Sequence, residues 1–377
     1  MMRVGLFTDA YLPEISGVTT VVNRLKKELE RLGHVTYIYA PSYGKQEVDS
    51  PGVFRFPSQP FMFHKASRVA FPYSRGATHS FERLDIVHSH APFSMGLLAL
   101  GVATRYRIPH VHTYHTYLSE YRHYLPVGLR PPKKAAERAS AAFCNHCTAV
   151  TAPSTPIKEE LIRYGVHRPI HVLPFGVDLS PFQRPAAWRP RRLLGIPQDA
   201  PLLLHVGRLA LEKNLPFLIR VFARIHTADP RVPLVIAGDG PLRGQLERQV
   251  EELGLSHCII FTGFIDHPQL IDLYKEADLF LFSSKTETQG LVLLEAMAGA
   301  TPVVAIGRLG VLDVVKDGEN GLLAPEDEGE YKRIVLDLLG DHHLYERLRQ
   351  GAIATARQSS AQKATQGLLD IFKGLVS

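Results

Sequence analysis

The stretch that decides the fold is DLFLFSSKTETQGLVLLEAMAGATPVVAI, residues 278–306. It opens on a short apolar run, passes through a polar turn ending in Gly290, continues as an apolar segment of helical length broken by Glu295, and closes on a second apolar run. That order is strand, turn, helix, strand, the repeating unit of a parallel sheet. The same rhythm extends in both directions. In the C-terminal half, strands are expected at LLLHVG (202–207), PLVIAG (233–238) and IIFTGF (259–264). In the N-terminal half they are expected at 3–8, 35–40, 53–56, 85–90, 109–113, 149–152 and 170–174. Between the first two, Val18, Val21, Val22, Leu25, Leu29 and Leu32 recur at helical spacing until Gly33 stops the run. Two α/β domains follow, residues 1–175 and 191–357. The Pro- and Arg-rich segment 176–190 is the expected linker. Two helical stretches close the chain, the last (358–377) expected to pack back on the first domain.

Composition sets the outer limits. With 377 residues, 45% hydrophobic and 21% charged, the chain is long enough for two cores and too apolar for disorder. Its net charge of +6 is unevenly shared: residues 1–180 carry 21 basic and 13 acidic side chains (+8), leaving 22 against 24 (−2) for the rest. A basic half suits an anionic membrane surface. No apolar run approaches the roughly 18 to 20 residues that span a bilayer, so membrane contact is expected to be peripheral. No secretory leader is expected from MMRVGLFTD, and three cysteines make no disulfide framework, which suits a cytoplasmic protein. Cys144 and Cys147 form one C-x-x-C, expected to pack rather than to bind metal.

Several chemistries lose their signal. Neither first strand is followed by G-x-G-x-x-G, no G-x-x-x-x-G-K-[ST] occurs, and no G-x-S-x-G occurs. GDGPLRG at 238–244 is spaced wrongly for a dinucleotide fingerprint and reads as a β-α turn. A nucleic-acid module lacks a recognised motif, and the acidic second half would repel a phosphate backbone.

The positive signals lie at strand ends. With a helix expected to start near Gln289 or Gly290, Glu287 stands at its mouth and Glu295 about 7.5 Å deeper. Backbone N–H groups at Gln289, Gly290 and Leu291 offer a phosphate cradle, and paired carboxylates accept hydrogen bonds from sugar and ribose hydroxyls. HVGRLALEKN (205–214) places Arg208 and Lys213 in the turn after another strand, suited to stabilising a diphosphate leaving group. His115 follows the strand ending near Thr113, where loops carry binding groups. His88, His90 and His112 read as ordinary satisfied surface histidines.

Together these residues resemble the family 4 glycosyltransferases of GT-B architecture, whose two Rossmann-like domains face each other across a cleft. The resemblance covers FTDAYLPEISGV, GRLALEKN, GDGP, FTGFI and the E-x7-E segment ETQGLVLLE. Finer features, HTYHTYLSEYRHYLP from His112, FCN at Phe143 and ETQGL, resemble the bacterial diacylglycerol glucosyltransferases. The resemblance implies a retaining hexosyl transfer from a UDP-sugar, UDP-glucose favoured, to a lipid acceptor, with no obligatory metal. By the same resemblance Arg208, Lys213, Gly17 and residues Gln289, Gly290 and Leu291 hold the donor diphosphate. Glu295 holds the ribose, Glu287 the hexose, His115 the transferred sugar, and Gly263, Phe264 and Ile265 the base. Ser16 stands where many members have glycine and Gln289 where most have phenylalanine, so a soluble acceptor or GDP-mannose stays open. An epimerase of the same layout is the remote alternative. For the acceptor side, Arg122, Arg130, Lys133, Lys134 and Arg138 are expected to meet an anionic bilayer beside Tyr114, Tyr117, Tyr121 and Tyr124. A second mixed patch is expected over 61–75.

Overall fold

The computed structural model describes residues 1–14, 16–44, 50–62, 64–115, 117 and 125–376. The chain divides into two compact units, Met1–Phe175 with Ala361–Ser377, and Gly176–Ser360.

In the first unit the strands are β1 (Arg3–Phe7), β2 (Val35–Pro41), β3 (Val53–Phe56), β4 (Ser58–Phe61), β5 (His64–Ala70), β6 (Ile86–Ser89), β7 (His110–Thr113), β8 (Ala149–Ala152) and β9 (Ile170–Val172). The helices are α1 (Gly17–Arg31), α2 (Arg75–Phe81), α3 (Ser94–Tyr106), α4 (Lys133–His146) and α5 (Thr155–Tyr164). Seven strands pair in parallel in the order β3-β2-β1-β6-β7-β8-β9, while β4 and β5 form a separate antiparallel hairpin. The sheet reverses direction of growth between β1 and β6. In an open α/β sheet that reversal is where loops part and ligands enter. Ser16 caps α1 by accepting from the Thr19 N–H at 3.2 Å, and Val22, Leu25 and Leu29 turn inward.

The second unit holds β10 (Leu203–Val206), β11 (Leu234–Ala237), β12 (Ile259–Gly263), β13 (Leu279–Phe282), β14 (Val303–Ile306) and β15 (Gly321–Ala324). Its helices are α6 (Ser180–Gln183), α7 (Pro190–Leu193), α8 (Leu215–Ala228), α9 (Arg243–Glu252), α10 (His267–Glu276), α11 (Leu291–Ala298), α12 (Val311–Val314), α13 (Glu328–Gly340) and α14 (His342–Gln358). All six strands are parallel in the order β12-β11-β10-β13-β14-β15, reversing between β10 and β13. Because helices cover both faces, the strands are near-continuous apolar runs: LLHV, LVIA, LFLF and VVAI are fully buried.

Segment 176–190, expected as a linker, belongs to the second unit and is tied down there. The Ala187 and Trp188 N–H groups donate to Asp272 Oδ2, and Arg184 pairs with Asp272 Oδ1 at 3.3 Å. The last helix, α15 (Ala361–Val376), belongs to the first unit, where Leu368, Leu369 and Phe372 join Val22, Leu25 and Leu29 in one core. Among the described residues no helix is long and apolar enough to cross a membrane.

Candidate active site

In the second unit, Gly207 and Arg208 follow β10, and the turn after β11 packs directly beneath them. The Gly207 N–H donates to Ala237 O and the Leu209 N–H to Asp239 O, both at 3.0 Å. Gly238 has φ +136°, and a Cβ there would lie 2.0 Å from the Gly207 carbonyl oxygen. The glycine of GDGP therefore serves close packing of two strand ends. Past exposed Arg208, a 3-10 turn at Leu211–Lys213 leads into α8.

The end of β13 fixes that turn. Ser283 Oγ donates to the Lys213 carbonyl at 2.7 Å and Ser284 Oγ to the Glu212 carbonyl at 3.0 Å. Lys213 Nζ then reaches Glu287 Oε2 at 2.6 Å and lies 5.7 Å from the Phe282 ring centre. Beneath it His205 donates from Nδ1 to the Leu281 carbonyl at 3.0 Å, and burial pushes its pKa down to about 4. The imidazole is neutral at pH 7 and adds no positive charge next to Lys213.

Helix α11 begins at Leu291, one to two residues later than the expected start at Gln289 or Gly290, because Gly290 takes the N-cap position with φ +85°. A side chain there would enter the left-handed region and strike Leu293 at 2.8 Å. Glu295 is consequently four residues into the helix, about 6 Å along its axis rather than 7.5 Å. Its carboxylate is buried, with Tyr274 O–H donating to Oε2 at 3.4 Å and His267 Nε2 3.9 Å from Oε1. Burial first, then the Glu295 charge, pushes the Tyr274 phenol well above its ordinary pKa, which keeps it a donor. Lys213, Glu287, the Gln289–Leu291 turn and Glu295 thus line the C-terminal edge of the sheet at its β10/β13 reversal. Arg208 sits beside them, and Gly263, Phe264 and Ile265 stand two strands away at the end of β12, with Phe264 57% exposed.

The first unit has its own edge. His115, beyond β7, is stacked on Phe175 with ring centres 4.7 Å apart and shares a hydrogen with His90 (Nε2 to Nδ1, 2.9 Å). His88, His90, His110 and His112 are buried, not surface residues: His88 Nε2 meets Thr113 Oγ1 at 2.7 Å, while Ser89 Oγ meets His110 Nε2 and His112 Nδ1. Burial pushes His88 and His115 down to about 3 and His110 to about 4. The cluster is a neutral network. Asp9, two residues past β1, is a carboxylate that no sequence motif marks. Its Oδ1 accepts from Ser94 Oγ at 2.5 Å and from the Met95 N–H at 3.0 Å, tying the loop after β1 to the start of α3. Burial raises its pKa to about 6 against those hydrogen bonds. Gly17 opens α1, and a Cβ on it would meet no described atom within 4 Å, so packing of the chain does not require glycine there.

Residues 187–355 match the family described as Glycosyl transferases group 1, and residues 15–181 match Glycosyltransferase Family 4. The chain is 35% identical over 333 residues to alpha-monoglucosyldiacylglycerol synthase of Streptococcus pneumoniae, covering 85% of this chain and 75% of that protein. It belongs to the family 4 glycosyltransferases. It is a hexosyltransferase, and its two Rossmann-like parallel-sheet units are those of the GT-B fold. A protein of the same name from Acholeplasma laidlawii is 33% identical over 350 residues, 89% of this chain and 87% of that one. Among solved structures, Anabaena HepE in complex with UDP and glucose has a TM-score of 0.80 at 20% identity, with 100% of both chains covered. Sucrose-phosphate synthase from Thermosynechococcus elongatus follows at 0.79 and 20%, covering 100% of this chain and 99% of that one.

The acceptor-side expectations of this glycosyltransferase fare unevenly. Lys133, Lys134 and Arg138 are exposed on α4, and exposed Arg130 donates from Nε to the Leu125 carbonyl at 2.8 Å. Arg122, Tyr121 and Tyr124 lie outside the described residues. Tyr114 and Tyr117 do not face solvent: both are buried, with Tyr114 O–H donating to Ser140 Oγ of α4 at 3.4 Å and Tyr117 O–H to Glu160 at 2.6 Å, so neither ring is presented to a bilayer. In the second patch Met62, Phe71 and Tyr73 are exposed at 79%, 49% and 61%. Cys144 and Cys147 are buried free thiols, Cys144 pushed up to about 12 by desolvation.

Proposed function

We propose that this glycosyltransferase moves glucose from UDP-glucose to diacylglycerol or a glycosyl-diacylglycerol, with retention of configuration, at the cytoplasmic face of an anionic membrane. The observation that carries the donor half is the Lys213–Glu287 pair beside the first turn of α11, whose N-cap is Gly290. It offers cation and backbone N–H groups to a diphosphate and carboxylates to hydroxyls, without calling on a metal. The acceptor follows from the two relatives named as monoglucosyldiacylglycerol synthases. HepE in complex with UDP-glucose supports the donor.

In the reaction the bond between the anomeric carbon and the β-phosphate oxygen breaks while the acceptor hydroxyl oxygen bonds to the same face of that carbon. The acceptor's proton passes to the departing phosphate. Arg208, Lys213 and the α11 mouth stabilise the charge growing on UDP. Glu295 holds the ribose and Glu287 orients the hexose, while the family resemblance gives His115 a contact to the transferred sugar and Gly17 one to the diphosphate. Gly263, Phe264 and Ile265 hold the base.

The test is transfer of labelled hexose from UDP-glucose, UDP-galactose and GDP-mannose, with and without diacylglycerol vesicles. Lipid-soluble label from UDP-glucose with the α-anomeric linkage of the donor is the expected result. Label reaching only a soluble acceptor, or free epimerised sugar, would overturn the reading.

A further inference from the structure

Outside the donor edge, one cluster in the second unit has the make-up of a metal centre. His226 in the last turn of α8, and His257 and Cys258 just before β12, bring one ligand atom each to within 4.8 Å of one another. The cluster sits before the N-terminal ends of β11 and β12, at the edge of the sheet opposite Arg208, Gly238 and Gly263.

The geometry is specific. His226 Nδ1 lies 3.1 Å from the Val232 carbonyl, which can only accept, so the hydrogen is on Nδ1 and the Nε2 lone pair points outward. That backbone contact is the arrangement by which proteins orient a metal-binding imidazole. The His226 lone pair faces His257 Nε2 at 3.2 Å. Two nitrogens bound to one tetrahedral zinc ion at 2.0 to 2.1 Å are separated by about 3.3 Å. The pair already has the spacing of two ligands on one ion. Cys258 is buried and turns its thiol to the Leu255 carbonyl at 3.4 Å, a weak bond that a side-chain rotation gives up. His257 is exposed and leaves an entry path with a fourth position for water.

We propose that His226, His257 and Cys258 form a zinc site that clips the last turn of α8 to the turn before β12. Two imidazoles and a thiolate favour zinc over magnesium or calcium, which take oxygen ligands. Binding releases the Cys258 thiol proton to solvent. Burial holds that thiol above its ordinary pKa in the metal-free chain, and the dication supplies the counter-charge.

The full chain, stripped with chelator, is titrated with cobalt(II) and with zinc. One equivalent of cobalt should give tetrahedral absorption with a thiolate-to-cobalt charge-transfer band, and zinc should displace it and raise the melting temperature. Cys258→Ser should lose the charge-transfer band. His257→Ala, at an exposed position that leaves the core intact, should weaken zinc binding at least about 30-fold and abolish the melting shift. Absence of the thiolate band, or zinc affinity unchanged in both variants, overturns the site. Glucosyl transfer should be the same with and without the ion, so the result is independent of the donor-site reading.

Discussion

Lys213 Nζ and Glu287 Oε2 are 2.6 Å apart although 74 residues separate them in sequence, and both side chains are largely shielded from solvent. The contact joins the loop after β10 to the loop after β13, the two strands that flank the sheet reversal. A lysine held by a carboxylate is positioned for an incoming diphosphate without having to be ordered by it.

Removing either donor-site cation should therefore cost turnover. Lys213→Ala and Arg208→Ala are each expected to lower kcat on the order of 10²-fold. Glu287→Gln should cost a similar factor, and the Lys213→Ala/Glu287→Gln double variant should fall well short of the product of the two, since both singles break one contact. Near-normal rates in both cation variants would remove the diphosphate assignment.

Glu295 predicts a different kinetic split. A carboxylate on the ribose contributes binding that is the same before and during bond breaking, so Glu295→Gln should raise KM for the nucleotide sugar about 10-fold with a smaller change in kcat. Tyr274 keeps an acceptor in the glutamine side chain, so the fold should survive. Steady-state kinetics at varied donor concentration checks it; a pure kcat loss would point to the reacting centre instead.

The buried histidines make the first unit acid-sensitive. His88 and His115 are pushed to about 3 and His110 to about 4 by desolvation, with His90 and His112 lowered in the same direction. Because the folded pKa lies below the unfolded value of about 6.5, the unfolded chain takes up protons first as pH falls. Each such group then withdraws up to about 1.4 kcal/mol of stability per pH unit between about 6.5 and its folded value. Asp9 acts oppositely: with its folded pKa raised to about 6, its stabilising effect is present below about 4 and lost as pH rises through 6. One carboxyl against five imidazoles leaves the net sign with the histidines. Circular dichroism should show acid unfolding within about two units below pH 6.5, and a chain still folded at pH 4 would mean that the cluster carries charge in the native state.

Much of this was legible in the residues, and the exceptions have physical causes. The buried parallel strands announce themselves as apolar runs, and the E-x7-E spacing marks a helix mouth. GLLA at 321–324 does not, because it is short, starts on glycine and has no β-branched residue, yet it becomes the edge strand β15. The β4–β5 hairpin hides in SQPF and HKASRVA, whose polar character suits a surface patch equally well. Histidine is a polar residue by type. Only the pairing of β6 with β7, and of β7 with β8, shows that Ser89, Thr113 and Thr151 supply hydrogen-bond partners inside the sheet. Tyr114 and Tyr117 mislead for the converse reason, since an aromatic beside cations fits a membrane interface or a core until burial is known. His226 and Cys258 are too far apart in sequence to read as one motif.

Membrane landing gives the last expectation. Lys133, Lys134 and Arg138 are exposed along α4, and each cation near an anionic bilayer contributes about 1 kcal/mol. Reversing all three to glutamate changes the local charge by six, enough to prevent electrostatic recruitment while sparing the donor residues, which lie in the other unit. Flotation with vesicles containing phosphatidylglycerol should show salt-sensitive binding of the unaltered chain and its loss in the triple variant. Transfer to vesicle-borne diacylglycerol should fall with it, whereas binding of UDP-glucose measured in solution should not. Salt-insensitive flotation of both proteins would move the landing surface to the exposed apolar side chains Met62, Phe71 and Tyr73, where screening has little effect.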